Sequence, residues 1–417
     1  MSGIDRRART TLWILASGVF AATLGNMLVP GVLPALSEET GISIGDIGRS
    51  NAVFGLAYAV AAPTLAILVR RISPYTVLTI ALALEAVTLL AVAAAGSAEQ
   101  LAAARIAHAI TVAGVVPMCT VHAGSIVAPS LRSRALSISF GGMVVSSLIG
   151  APLGNTLAGA IGARASFIAV AILLVVVALV ALRASRWQAG LVADARASHA
   201  AGGMSGALGT WAWITLGAVF ATAAMEGAAT SGLNTFVSPF LTDAVGATGT
   251  PLSLLLLCYG LAGLAGNALL GAIADRVGPA RALVVVAAAA AAAVAGLMIV
   301  DTAWQAAAFL LVWGFCSWAI NPPLQSLIIG HSGRHLTLLV AVNSSVIFTG
   351  SSLGAAVAAA QVDAGGLASL PLTAGALFLL SALGAAVAWI ASRRVAAQRA
   401  HDARPAALEH AVPPPAA

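Results

Sequence analysis

The sequence has very little charge and no lysine. Only 8% of its 417 residues are charged and 60% are apolar, whereas soluble domains carry roughly 25% charged and 45 to 50% apolar residues. A soluble fold of this length has too little interior to hide so much apolar surface. The composition therefore excludes an ordinary water-soluble protein and favours a chain whose solvent is the lipid bilayer.

Cysteine is scarce, and the motifs of several enzyme classes are missing. The three cysteines, Cys119, Cys258 and Cys316, fall inside long apolar stretches, which favours small buried side chains over disulfides or a metal cluster. No glycine-rich loop follows a strand to hold phosphate groups, so the chain is not an ATP-driven pump by itself. His331 and His335 have the spacing of helical metal ligands but no third ligand nearby. We therefore predict no enzymatic activity, no cofactor and no metal site.

Apolar stretches are what the chain does have. Twelve of them, most about 19 to 24 residues long, cover nearly the whole sequence, and each is long enough to cross about 30 Å of hydrocarbon as a helix. They lack the two-residue alternation of a β-barrel strand, so we predict an all-α membrane protein with twelve transmembrane helices. The predicted spans are residues 11–34, 50–69, 74–95, 100–123, 135–158, 165–183, 209–234, 251–272, 280–300, 303–327, 337–360 and 370–392.

The distribution of arginine predicts the orientation in the membrane. Most arginines lie in alternate loops and near both termini, whereas the opposite loops hold half of the 14 acidic residues and only Arg49 and Arg164. The positive-inside rule places the arginine-rich side, and with it both termini, in the cytoplasm. The net charge of +6 is therefore a topology signal, and we predict no nucleic-acid partner because no soluble face is available to bind one. We expect a monomer in a bacterial cytoplasmic (inner) membrane.

A polar gap divides the chain into two similar halves. Pro117 of the first half corresponds to Pro322 of the second at a shift of about 205 residues. A duplicated six-span unit is one plan by which transporters build a central site that opens to each side in turn. We assign the chain to a cytoplasmic N-terminus (1–10), a first six-helix bundle (11–183), a cytoplasmic linker (184–208), a second six-helix bundle (209–392) and a disordered cytoplasmic tail (393–417).

Several stretches resemble motifs of the major facilitator superfamily. Residues 271–281 are similar to its cytoplasmic signature loop, whose first-half copy departs from the pattern at Ala66 and Arg70. Three stretches are similar to motifs of the twelve-span drug:proton antiporter branch, near its chloramphenicol-efflux and arabinose-efflux-like members. They are the proline-paired end of span one (24–34), the buried-arginine motif that starts span four (101–105) and the antiporter motif of span five (150–154).

The resemblance implies two pseudo-symmetric six-helix bundles and conformational gating by specific loop and helix residues. The predicted gating residues are Gly150, Pro152, Gly154, Gly271, Asp275, Arg276, Gly278 and Arg281. For the glycines of span five, close helix packing is the alternative to a role in flexibility.

Charged residues well inside predicted spans are few: Glu85, Arg105 and Glu226. Each costs about 2.5 to 3.5 kcal/mol on membrane-insertion scales, so each should face the interior. A carboxyl group in a cavity that opens alternately to the two sides can take up and release a proton. We predict that Glu226, first in order of preference, Arg105, Glu85 and His108 carry proton coupling. For Arg105 this role is what the resemblance implies, since the family attributes proton transfer to its buried arginine. The alternatives are an interhelical hydrogen bond for Glu226, binding of backbone carbonyls for Arg105, and a supporting role or a permanently neutral state for Glu85.

Polar side chains at four-residue spacing predict a substrate site. One stripe runs along span seven and another, which includes a tryptophan, along span ten. An aromatic ring beside amide groups suits an amphipathic ligand, although a core tryptophan with structural amides is the alternative. The predicted substrate-binding residues are Asn26, Thr230, Asn234, Trp313, Ser317, Asn321, Gln325 and Asn343.

Together these features predict a proton-coupled secondary transporter that exports a small organic solute, drug-like or amphipathic, by alternating access. Its partners would be that solute, protons and the lipid bilayer. Efflux of a sugar, a nucleoside or another metabolite is the alternative. A channel or a receptor would also be apolar, but the duplicated halves and the buried ionisable residues favour alternating access over both.

Overall fold

The computed structural model describes residues 5–68, 72–127, 132–187, 209–331 and 336–409. Within these ranges the first half forms α1 Arg6–Met27, α2 Val29–Thr40, α3 Ile44–Leu68, α4 Pro74–Ala94, α5 Ala98–Ser125, α6 Arg132–Ile161 and α7 Ala163–Trp187. The second half forms α8 Thr210–Thr235, α9 Val237–Val245, α10 Gly249–Val277, α11 Pro279–Gly296, α12 Ala303–Ala319, α13 Asn321–His331, α14 Leu336–Asp363 and α15 Leu370–Glu409. Short 3-10 helices cover Leu297–Ile299 and Leu367–Ser369.

The described helices form twelve membrane crossings, which confirms the predicted all-α membrane fold. Ten helical segments are long and apolar enough to span a bilayer. α3 and α5 are not among the ten, but with 25 and 28 residues they are also long enough, and they pack among the others. An even number of crossings leaves both termini on one side, and we call the opposite side the far side.

Three of the crossings are broken helices, and each break precedes proline. α1 gives way to α2 at Leu28, before Pro30, and α8 gives way to α9 at Phe236, before Pro239. α12 and α13 meet at Ile320, before Pro322 and Pro323. Proline lacks the N–H that would continue a helix but fits its first turn. The breaks at Leu28 and Phe236 occupy equivalent places in the two halves.

The helices assemble as two six-helix bundles joined along two seams. α1, α3, α4, α5, α6 and α7 pack with one another in the first bundle, and α8, α10, α11, α12, α14 and α15 do so in the second. The seams are α3 against α14 and α6 against α10. Exchanging the two halves turns one seam into the other, as a pseudo-twofold axis between the bundles requires.

The surface between the two sides of the protein is apolar. Leu56, Val60, Val87, Ile172 and Leu179 each expose half or more of their side chains. Such a continuous apolar belt is typical of a lipid-facing surface. It also explains why the chain needs a bilayer for solubility.

The last helix runs further than the sequence predicts. We expected residues 393–417 to be irregular, but α15 continues as a helix to Glu409. Alanine recurs throughout this stretch, and its high helix propensity favours continuation of the last transmembrane helix. Residues 410–417 and most of the predicted linker, 188–208, lie outside the described residues.

Close helix approaches explain the paired glycines of the two halves. A Cβ added to Gly154 of α6 would lie 2.5 Å from the carbonyl oxygen of Leu28, and one added to Gly354 of α14 would lie 2.0 Å from that of Ala228. A Cβ added to Gly150 would lie 2.5 Å from Met27 Cβ. These contacts are too short for any larger residue, so the packing alternative accounts for the glycines.

Substitution of Gly154 tests this packing. We expect Gly154→Ala to lower the thermal unfolding temperature in detergent, because overpacking costs about 1 to 3 kcal/mol. Gly159→Ala, in the same helix, meets no atom within 4 Å and should leave the unfolding temperature unchanged or raise it. Equal unfolding temperatures for the two variants would contradict the packing role.

Candidate functional site

Four helices of the first bundle meet around the buried guanidinium of Arg105. Arg105 Nη2 donates hydrogen bonds to Asn26 Oδ1 of α1 at 2.6 Å and to Asn51 Oδ1 of α3 at 2.5 Å. Arg105 Nη1 lies 3.1 Å from His108 Nδ1, one turn along α5. His108 Nε2 in turn lies 3.4 Å from Glu85 Oε1 of α4. We call these five residues the Arg105 cluster.

The ionisable members of the cluster are buried, and the geometry determines the tautomer of His108. Glu85 and His108 are completely buried. Because arginine can only donate, His108 Nδ1 must accept, which places the proton of the neutral ring on Nε2, toward Glu85. The Phe54 ring covers Arg105, with the guanidinium carbon 4.3 Å from the ring centroid. The cluster thus places a neutral imidazole between the guanidinium of Arg105 and the carboxyl group of Glu85.

Glu85 is short of hydrogen-bond donors. Neither of its carboxylate oxygens has a hydrogen-bond partner among the described residues, and the contact with His108 is longer than an ordinary hydrogen bond. A buried carboxylate in this state carries an unpaid desolvation cost.

The cluster reaches the second bundle through Asn51. Asn51 Nδ2 donates to Thr235 Oγ1 at 3.2 Å, and Thr235 is the last residue of α8, directly before the break at Phe236. The sequence analysis did not single out Asn51 or Thr235. The feature of the sequence that could have pointed to Asn51 was its amide side chain at the start of predicted span two.

Glu226 lies apart from the Arg105 cluster, inside the second bundle. It is 8% exposed, and its Oε1 accepts a hydrogen bond of 3.0 Å from Thr230 Oγ1, the neighbour expected from the stripe on span seven. It lies near Tyr259 of α10, whose ring centroid lies 4.5 Å from that of Trp313 of α12. Tyr259 is an aromatic neighbour that sequence reasoning missed.

The other predicted substrate residues differ in burial, and substrate binding by them stays a prediction. Trp313, Ser317 and Asn343 are buried, whereas Asn234, Asn321 and Gln325 are half-buried. Asn26, also predicted to bind substrate, accepts its hydrogen bond from Arg105. The structure thus brings Asn26, Glu85, Arg105 and His108 together and pairs Glu226 with Thr230.

An apolar cavity of about 550 Å³ lies elsewhere, between α3, α8, α14 and α15. Met225, Thr349, Val357 and Leu377 are among the residues that line it. Its wall includes none of the predicted substrate residues. Since Val357 is also exposed on the apolar belt, the cavity opens toward the lipid.

Polar contacts join the two bundles on the far side. Arg49, at the start of α3, forms ion pairs with Asp46 of its own helix and with Asp363 at the end of α14. The Ser43 hydroxyl and then Arg49 lower the pKa of Asp46. We call Asp46, Arg49 and Asp363 the far-side clasp.

Further hydrogen bonds on the far side also join the two bundles. One group lies at the seam between α6 and α10, and another lies beside the helix break at Leu28. Asn155 Nδ2 of α6 donates at 2.8 Å both to Gly249 O and to Ser253 Oγ of α10. Ser238 Oγ of α9 donates to Pro30 O of α2 at 2.5 Å. Together with the clasp, these contacts hold the far side shut in this conformation.

Comparison with known proteins decides the family. The model of the Major Facilitator Superfamily matches residues 15–214 and 219–415, which is almost the whole chain. The chain belongs to the major facilitator superfamily. It is a multi-pass membrane transporter and not an enzyme.

Relatives of known sequence fall in the predicted branch of the superfamily. The chain is 26% identical over 352 residues to the chloramphenicol resistance protein of Streptomyces lividans, covering 84% of this chain and 88% of the relative. It is also 26% identical to the inner membrane transport protein YdhP and to the putative transporter AraJ of Escherichia coli K12. These alignments cover 85% and 82% of this chain and 89% and 85% of the relatives.

Solved structures of the superfamily share the fold. A bacterial homologue of the human lysosomal transporter Spinster, inward-facing and unoccupied, superposes with a TM-score of 0.72 at 16% identity, over 94% of this chain and 98% of its own. The nucleoside transporter NupG superposes with a TM-score of 0.71 at 14% identity, over 91% and 99%.

The superfamily signature loop lies between α10 and α11. Gly278 ends α10 with a φ of 92°, a backbone conformation that glycine adopts without strain. Arg276 is exposed, and the guanidinium of Arg281 lies 5.3 Å from the ring centroid of Trp389. The side chains of Asp275 and Ala66 are not described, and Arg70 lies outside the described residues. Gating by these residues stays a prediction.

Replacement of Arg105 by lysine tests how the cluster is held together. One ammonium group cannot reproduce the forked donation to Asn26, Asn51 and His108, so Arg105→Lys should lower the free energy of unfolding by about 1 to 3 kcal/mol. The measurement is thermal unfolding of the purified protein in detergent. Arg276→Lys, at an exposed arginine, is the control. An unchanged unfolding temperature for Arg105→Lys would contradict the network.

Proposed function

We propose that the chain is a proton-coupled secondary transporter that exports a small amphipathic organic solute by alternating access. The observation that carries this proposal is the completely buried Glu85, held beside His108 and close to Arg105 in a fold whose membrane spans hold few charged residues. The relative named as a chloramphenicol resistance protein supports export of a drug-like solute.

Proton binding at Glu85 changes the charge of the Arg105 cluster. With Glu85 ionised, its charge offsets that of Arg105; with Glu85 protonated, Arg105 becomes the single charge. A buried cluster that changes charge in this way responds to the side from which protons arrive. We therefore assign proton binding to Glu85, with His108 as the bridge to Arg105.

Glu226 takes a different role in this proposal. It is slightly exposed, already accepts a hydrogen bond from Thr230 and lies near Tyr259, whose ring packs against that of Trp313. A carboxylate beside aromatic rings suits the polar and apolar parts of an amphipathic solute. We assign it to solute binding, which reverses the preference that the sequence alone suggested for the coupling acid.

The proton gradient supplies enough energy for export. One charge that moves through about 100 mV yields roughly 2.3 kcal/mol, which sustains about a fiftyfold solute gradient. The proposed setting is the bacterial cytoplasmic membrane, with both termini in the cytoplasm and the far side outside, in accord with the arginine distribution. The proposed transporting unit is a monomer.

Transport by inverted vesicles tests coupling and its assignment. With a membrane potential near zero, acidifying the vesicle lumen should drive accumulation of radiolabelled chloramphenicol, the probe suggested by the relative. Glu85→Gln should abolish gradient-driven accumulation but leave downhill exchange. Glu99→Gln, at an exposed acid on the far side, should behave like the parent chain.

The outcomes separate the two acids and the two substrate classes. Glu226→Gln should weaken chloramphenicol binding while uptake still follows the pH gradient. If Glu226→Gln removed the dependence on pH and Glu85→Gln did not, the coupling acid would be Glu226. Proton-driven uptake of sugars or nucleosides, with no uptake or resistance for any drug tested, would overturn the drug-like assignment in favour of the metabolite alternative.

A further inference from the structure

We infer that Asn51 is the positioning residue through which the proton-binding cluster of the first bundle controls its contact with the second bundle. This inference rests on the proposed proton coupling. It adds a route by which a proton bound at Glu85 acts at the interface between the bundles.

The hydrogen bonds around Asn51 have only one possible direction. Arg105 can only donate, so the Asn51 atom that faces it at 2.5 Å must be the carbonyl oxygen. The amide nitrogen therefore points at Thr235. The Thr235 hydroxyl donates its own proton to Ser231 O at 2.7 Å, which leaves its lone pair free to accept from Asn51. Arg105 thus sets the orientation that the contact with Thr235 requires.

Few groups near Arg105 can change charge. From its own helix, α5, His108 faces it, and from α4 Glu85 faces it through His108. α1 supplies the Asn26 amide, and α3 supplies the Asn51 amide and the Phe54 ring. The second bundle reaches this network through the Thr235 hydroxyl. A proton that arrives here therefore acts on Arg105 through Glu85 and His108.

The direction of the effect follows from charge balance. Ionised Glu85 draws the Arg105 charge toward His108 and away from Asn51. When Glu85 is protonated, the guanidinium depends on the two amides, so its hold on Asn51 strengthens and Asn51 stays oriented toward Thr235. Protonation should therefore favour the conformation described here, with the far side shut. An exporter that exchanges solute for external protons needs this direction of response, because its outer side must close after a proton has bound from outside.

Thr235 lies where making or losing its hydrogen bond to Asn51 can affect α9. It ends α8 at the break before α9, and α9 carries Ser238, which bonds to Pro30 of the first bundle. Loss of the Asn51 contact would free the end of α8 beside this break. The two contacts lie on the far side of the membrane, where the bundles must part for the solute to leave.

Distances between spin labels across the far side test the inference. In a chain with Cys119, Cys258 and Cys316 replaced by alanine, labels at Glu99→Cys of the first bundle and Asp243→Cys of the second, both exposed sites, report opening in proteoliposomes. Lowering the pH from about 8 to about 5, a range that includes the titration of buried functional carboxyl groups, should raise the ratio of closed to open molecules in this parent about 2- to 12-fold, as expected for one hydrogen bond. The response should fall below about twofold in Asn51→Leu.

Two further variants keep the test decisive. Thr235→Val removes the acceptor from the other bundle without touching Arg105 and should also abolish the pH response. Ser352→Ala removes a neighbouring hydrogen bond between the bundles, from Ser352 Oγ to Ala52 O at 2.5 Å. It should lower the closed population and keep the pH response.

The outcomes distinguish the inference from the function on which it rests. A parent chain whose distances ignore pH would overturn proton coupling and, with it, the inference. If the parent responds to pH and either Asn51→Leu or Thr235→Val responds equally, the inference fails and proton coupling stands. Loss of the response in Ser352→Ala as well would show that any contact between the bundles suffices, and would overturn the specific role of Asn51.

Discussion

The absence of water from the bilayer interior is the constraint on which the rest of the structure depends. Backbone groups satisfy themselves in helices, and polar side chains must find partners in one another. The Arg105 cluster follows from this requirement, because a guanidinium in the membrane needs several acceptors. α1, α3 and α5 supply them as two amide oxygens and an imidazole nitrogen. The helices are thereby tied together at the point where a charge enters the membrane.

Under the same constraint, the seams between the bundles and the interior of the first bundle use different kinds of contact. Along the seams, small residues allow backbone to meet backbone, as Gly260 of α10 does with Leu148 of α6, and single serine hydroxyls donate to carbonyls, as Ser352 does to Ala52. Such contacts are numerous, weak and easily exchanged, which suits surfaces that must part. The Arg105 cluster instead concentrates charge in one place. Its single hydrogen bond to Thr235 is the point where the two kinds of contact meet.

Much of the fold could be predicted from the sequence because each membrane crossing requires a long apolar stretch, which is visible in the sequence itself. The span count, the division into halves and the family followed from apolar length and from a few glycine, proline and arginine positions. The clustering of Glu85, Arg105 and His108 was less accessible. Spacing predicts which residues share a helix face, whereas the approach of Glu85 depends on how α4 packs against α5. Asn51 was missed for the same reason, since its partners come from two other helices. The stripe through Trp313 shows what spacing cannot decide: residues that repeat every four positions fit a packed core as well as a solute site.

The far-side clasp differs from the Arg105 cluster in its exposure to solvent and therefore in its sensitivity to salt. Arg49 and Asp363 meet where both side chains are partly exposed, so mobile ions screen their attraction over about 8 to 10 Å at physiological strength. Glu85 and Arg105 lie beyond the reach of those ions. In dilute surroundings the clasp holds more firmly and in concentrated salt it loosens, while the attraction within the Arg105 cluster keeps its strength. In the proposed orientation, with the far side outside, the balance between closed and open conformations therefore depends on external salinity, whereas the proposed proton coupling does not.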